Sequence, residues 1–135
     1  METKVSKKLR WLLPYLDIAK PLMPEGKSIS RLSAWSINNK RMGKTCLACI
    51  YTEDWITYRI YMHTQRHPRN SKVLPNSKID MLSNLAHELA HTLDMNHSPE
   101  HKQLENNLLN LFMMHLKSTG YIDEETELNE MICGT

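Results

Sequence analysis

The stretch HELAHTLDMNHSPEH, His87 to His101, places four histidines and two glutamates in fifteen residues. His87, Glu88 and His91 form an HExxH pattern. Four residues is about one helical turn, so imidazoles at that spacing reach a single ion. A glutamate next to the first histidine lies beside such an ion, where it can take a proton from water and pass it to a leaving amine. His97 stands six residues past His91, and on a continuous helix it would point away. It converges only if the helix stops in between. Asp94 and Asn96 tolerate turn conformations, and Ser98 and Pro99 read as the cap and first residue of a new helix. The spacing therefore predicts a zinc site of His87, His91 and His97, with water at the fourth position and Glu88 as catalytic base.

Working outward, Ser77 with Asp80 three residues on starts the helix that carries the cluster. At about 100° per residue, Ile79, Leu82, Leu85, Ala86, Leu89 and Leu93 share one face. Asp80, Asn84, His87 and His91 fall on the other, which makes Asp80 and Asn84 candidates to support the ligands. The next helix, Pro99 to about Lys117, is apolar at Leu104, Leu108, Leu111, Phe112 and Met114, and Gly120 ends it. Upstream, residues 3–20 read as a helix that Pro14 breaks or kinks unless a turn begins there. PLMPEGKS is a turn. SISRLSAWSI alternates imperfectly and reads as a short strand. KTCLACIYTEDWITYRIYM reads as a β-hairpin around Glu53 and Asp54, with Ile56, Tyr58, Ile60 and Met62 at period two. TQRHPRNSKVLPNS is a polar loop, and the acidic end from Tyr121 is a short helix or a loosely held tail. Together these elements predict an α+β fold.

The totals narrow the class. The chain has 135 residues, 41% hydrophobic and 24% charged, in the range of one globular domain over residues 1–135. No apolar run reaches the roughly 18 residues a spanning helix needs. Pro14, Asp17 and Lys20 interrupt the apolar stretch that follows the basic N-terminus, unlike a signal peptide. The expectation is an intracellular protein, cytoplasmic or nuclear, without a membrane. Three cysteines, Cys46, Cys49 and Cys133, suit a reducing compartment. On a strand, Cys46 and Cys49 would point to opposite faces, which suits neither metal nor redox work.

The net charge of +2 conceals an asymmetry. Residues 1–78 carry 15 Lys and Arg against 5 Asp and Glu; residues 79–135 carry 2 against 10. The basic half could face a phosphate backbone, or the two halves could neutralise each other across the fold. Among the other histidines, His101 is an alternative ligand or a substrate contact and His115 a core or surface group, while His63 and His67, at the strand end and in the loop, suit basic-loop duty as well as a catalytic role. Tyr58, Tyr61 and Tyr121 are candidate oxyanion partners, and sequence does not choose among them.

LAHELAHTLDMNH, with a following helix and LKSTGYI, resembles the WLM family of zincin metallopeptidases, relatives of SprT-like (Spartan-type) and YgjP-like proteases. The matching positions are His87, Glu88, His91 and His97, with Ser118 to Tyr121 at the helix end. Weaker similarity extends through LDIAKPLMPEGKSISRL and the strand-rich middle, including Arg59. Where the family usually has an aromatic residue after the third histidine, this chain has His101. The metzincin pattern needs glycine where Asp94 stands.

The resemblance implies a zincin-like α+β domain with a small, mainly antiparallel sheet packed on the HExxH helix between N- and C-terminal helices. It further implies a zinc metalloendopeptidase, stimulated by DNA and acting on DNA-bound or DNA-crosslinked proteins. Two rivals remain at this stage. One is a general metallopeptidase without DNA dependence; the other is a non-enzymatic, zinc-stabilised nucleic-acid-binding module.

Overall fold

The structure is a computed structural model that describes residues 2–35, 47–66 and 74–121. The tail from residue 122, and with it Cys46, His67 and Cys133, lies outside the described residues. Strand β1 (Lys4–Val5) leads into a 3-10 helix (Lys7–Leu12), helix α1 (Leu13–Ala19) and a 3-10 turn (Lys20–Leu22). Pro14 sits in the first turn of α1, where its missing amide proton costs no hydrogen bond. The helix expected over residues 3–20 is thus a strand and then two helical types joined at the proline. Gly26, at φ +83°, turns the chain into β2 (Ser28–Trp35), a backbone angle that glycine adopts without strain.

β2 alternates imperfectly because it is bulged. Ile29 pairs with Tyr58 and Arg31 with Arg59, which leaves Ser30 as the extra residue. A bulge switches side-chain parity, so Ile29 and Leu32, three apart, both enter the core. The hairpin forms where the sequence places it, with β3 (Ala48–Thr52) and β4 (Thr57–His63) antiparallel. Its turn puts Trp55 at φ +62°, costly for a residue with a side chain. Side chains hold it there: Thr52 Oγ1 accepts from the Trp55 amide at 2.9 Å, and Asp54 Oδ1 accepts from Thr57 and Ile56. Those amides keep the Asp54 carboxyl below its usual range.

The main sheet runs β1-β2-β4-β3. It is mixed, not mainly antiparallel: β1 pairs with β2, and β2 with β4, in parallel. Only the β3–β4 hairpin is antiparallel. The helical connection after β1 returns the chain to the same end of the sheet, which makes β1 and β2 parallel. β4 then inserts between β2 and β3, a long-range pairing without a turn to announce it. β5 (Gln65–Arg66) and β6 (Leu74–Pro75) form a small separate ladder.

Helices α2 (Lys78–Ala90) and α3 (Pro99–Ser118) complete the fold. Both start on the expected serines. Ser77 Oγ accepts from the Asp80 amide, and Ser98 Oγ accepts from the His101 amide, each at 3.1 Å. The core joins Leu9, Leu12 and Tyr15 to Ile29, Leu32, Tyr58, Ile60 and Met62 of the sheet and to Leu82, Leu85 and Leu89 of α2. Leu104, Leu108, Phe112 and Leu116 of α3 close it, with Phe112 edge-on to Tyr15. Leu93, expected on the buried face of α2, lies past its end and is 48% exposed. Among the described residues, no helix is long and apolar enough to cross a membrane.

Candidate metal centre

The cluster sits where α2 stops. Ala90 is its last residue, and residues 91–98 form a turn before α3. Asp94 makes the turn: its carboxylate accepts from the Asn96 amide at 2.9 Å. These bonds offer the backbone an alternative to further helix, and the chain reverses so that α3 packs along α2.

This reversal brings the histidines together. His87 Nε2 lies 3.3 Å from His91 Nε2 and 3.1 Å from His97 Nε2. Nitrogens about 2.0–2.1 Å from one tetrahedral ion stand about 3.3 Å apart, so the spacing fits a shared metal. The opposite sides of two rings are fixed. His87 Nδ1 faces Glu105 Oε1 at 2.7 Å, and His91 Nδ1 faces the carbonyl of Asp94 at 3.0 Å. Nδ1 must carry the proton in both, because neither a carboxylate nor a carbonyl donates. In the neutral rings Nε2 then presents a bare lone pair. Two lone pairs 3.3 Å apart repel unless a cation, a metal ion or a proton, lies between them. Burial lowers the pKa of His91, with the neighbouring histidines acting the same way against the Asp94 carbonyl bond, so this ring resists supplying that proton.

His101 lies against the same group. One nitrogen atom from each of His87, His91 and His101 falls within 4.8 Å of the others, which makes His101 a rival third ligand. Its Nε2 lies 3.0 Å from the His87 carbonyl and donates to it, while Nδ1 stands 3.8 Å from Glu105, beyond hydrogen-bond distance. His97 is the nearer of the two to His87, at 3.1 Å between Nε2 atoms. His101 is 2% exposed and packs against His91 with ring centroids 4.2 Å apart.

Glu88 is 6% exposed. Burial pushes its carboxyl up to about 7; the His87 imidazole pulls it down, and the charge of Glu105 adds to the rise. In the metal-free protein this carboxyl therefore exchanges its proton near neutral pH.

On sequence, Asp80 and Asn84 are the residues expected to support the ligands. The group on His87 Nδ1 comes instead from the neighbouring helix, 18 residues away. Its signal is faint: Glu105 lies four residues past His101 and next to Leu104, on the edge of α3 that turns toward α2. Of the tyrosines, Tyr58 is buried in the core, Tyr61 lies on the opposite face of the sheet, and Tyr121 packs against the core just past α3. His115 stacks edge-on against Tyr15 with centroids 5.0 Å apart, and His63 is buried at the end of β4.

Set against known families, curated proteins and solved structures, the chain matches none of them.

Proposed function

We propose that the protein is a zinc metalloendopeptidase of the zincin kind, akin to the WLM and SprT-like proteases, that cleaves DNA-bound proteins in a DNA-stimulated manner. The observation that carries the metal-dependent part is the approach of His91 and His97 Nε2 to His87 Nε2, with buried Glu88 next in sequence to His87. His87, His91 and His97 would hold the ion, and the donor set of three imidazoles suits zinc. When bound, the ion supplies Lewis acidity, acidifying a water and polarising the scissile carbonyl. Glu88 takes the water's proton and delivers it to the departing amine. Glu105 and the Asp94 carbonyl keep two ligand rings in the tautomer that leaves Nε2 free. β3 ends the sheet order and packs against α2, so an extended peptide is expected to pair with its edge.

DNA stimulation rests on the family resemblance and on the basic residues 1–78. The deciding experiment compares cleavage of a DNA-binding protein by wild type and Glu88→Gln, with and without single-stranded DNA. Loss of a general base is expected to lower the rate by roughly 10²–10⁴-fold while zinc content stays unchanged. Cleavage independent of DNA would leave a general metallopeptidase, and no cleavage by zinc-loaded wild type would leave a binding module.

A further inference from the structure

The main sheet has two unlike faces. Its core side carries Ile29, Leu32, Tyr58, Ile60 and Met62, all buried under the helices. On the other side the register lines up Lys4 with Arg31 and Arg31 with Arg59. Tyr51 pairs with Arg59, and Ser33 and Cys49 with Tyr61; Trp35 pairs with His63, which is 2% exposed, so the face is open toward Tyr51 and Arg31 and covered at the His63 end. No outward strand position among the described residues is acidic. Glu53 of the hairpin turn pairs with Arg59 at 3.5 Å, with its side chain 91% exposed. Three aromatic rings stand on this face, none of them part of the helix-covered core. Trp35 and Tyr61 have centroids 4.4 Å apart, and Tyr51 meets Tyr61 edge-on at 5.7 Å. Tyr51 is 47% exposed.

Partly exposed aromatic rings are not what a soluble sheet needs on its free side. Flanked by cations, they have a specific use: bases stack on the rings while phosphates meet the arginines. A four-stranded sheet with two or three such rings binds unstacked bases, which duplexes do not offer.

We propose that this face binds single-stranded DNA, with bases on Tyr51, Tyr61 and Trp35 and phosphates at Lys4, Arg31 and Arg59. The choice of DNA rests on the function proposed above; the binding mode rests on the rings and cations. The face lies on the opposite side of the sheet from the helices that carry the histidines. DNA held there leaves the metal centre open to a protein substrate.

The test is fluorescence anisotropy with a labelled oligo-dT of about 20 nucleotides and the full chain. Variants are Arg31→Ala, Arg59→Ala, Tyr51→Ala, Tyr51→Phe and, as a control on α3, Lys117→Ala. Each arginine change is expected to weaken binding and flatten the salt dependence by about 0.7 in log–log slope. Tyr51→Ala is expected to weaken binding about tenfold without changing that slope, and Tyr51→Phe to bind like wild type. Lys117→Ala and Glu88→Gln bind as wild type does. The proposal is overturned if wild type does not bind, or if the Tyr51 and arginine variants bind unchanged. Duplex of equal length bound as tightly, or RNA bound tenfold more tightly, also overturns it. Intact binding with no cleavage would instead count against the protease reading alone.

Discussion

The two halves of the histidine cluster are built differently. His87 and His91 stand one turn apart on α2, whose other face is locked into the core by Leu82, Leu85 and Leu89. Each has its far nitrogen held, by Glu105 or by the Asp94 carbonyl. His97 is exposed and is carried by the turn that Asp94 shapes. The helix half is set by folding itself, whereas the turn half is brought into place by local bonds over a few residues. Preorganisation is therefore uneven within one site, and the two halves should respond differently to mutation.

The largest expected effect is on the helix half. His91→Ala should lower metal affinity, read by competition with a chelator, by more than the roughly 10–100-fold typical of an outer-shell partner. A smaller loss would mean that His101 substitutes as ligand.

Next comes the metal-free protein's dependence on pH. The folded pKa of Glu88, about 7, lies above its ordinary value of 4.5. The folded state therefore binds the proton more tightly than the unfolded one, and stability from this group is fully present below pH 4.5. It is lost as pH rises through 7, to the extent of a few kcal/mol, at about 1.4 kcal/mol per pKa unit. His91 acts in the opposite direction, because its pKa is lowered. Its contribution is present above its ordinary 6.5 and lost as pH falls below that. Metal-free Glu88→Gln should thus melt at a higher temperature than wild type at pH 8 and at about the same temperature near pH 4. Equal melting at pH 8 would show that burial does not strain this carboxylate.

Glu105→Ala should weaken metal binding by about 10–100-fold, with Glu105→Gln losing less because its carbonyl still accepts from His87 Nδ1. Matching losses for the two variants would remove the hydrogen bond from the explanation. The smallest effect belongs to the turn half. His97→Ala should leave the stability of the metal-free protein within about 0.5 kcal/mol of wild type, as for other exposed positions, while still weakening metal binding. A larger drop in metal-free melting would place the turn in the core's cooperative unit.

Much of this was legible in the sequence, because the decisive signals are local. Ser77, Ser98 and Pro99 mark helix starts by chemistry confined to three or four residues, and the period-two run in β4 reads one buried face directly. The break after Ala90 followed from asking what His97 needed. Other features depend on partners distant in the chain. The parallel pairing of β2 with β4 has no turn residues to signal it. The bulge at Ser30 blurred the alternation by moving Ile29 and Leu32 to the same side. The sequence offers Asp80 and Asn84 of the same helix as support for the ligands, and the carboxylate on His87 comes from α3. Proximity between packed helices is invisible to a pattern read along one of them.

The turn from His91 to Ser98 has a kinetic consequence. Strong binding does not fix how long an ion stays. Release requires only that one short turn open, a local event that leaves sheet and helices intact and is far less costly than global unfolding. Exchange with a chelator should then proceed without denaturant and at a rate set by the turn. Replacing Asp94, whose carboxylate accepts from the Asn96 amide in that turn, should shorten the residence time of an ion held by His97 more than it shifts the melting temperature.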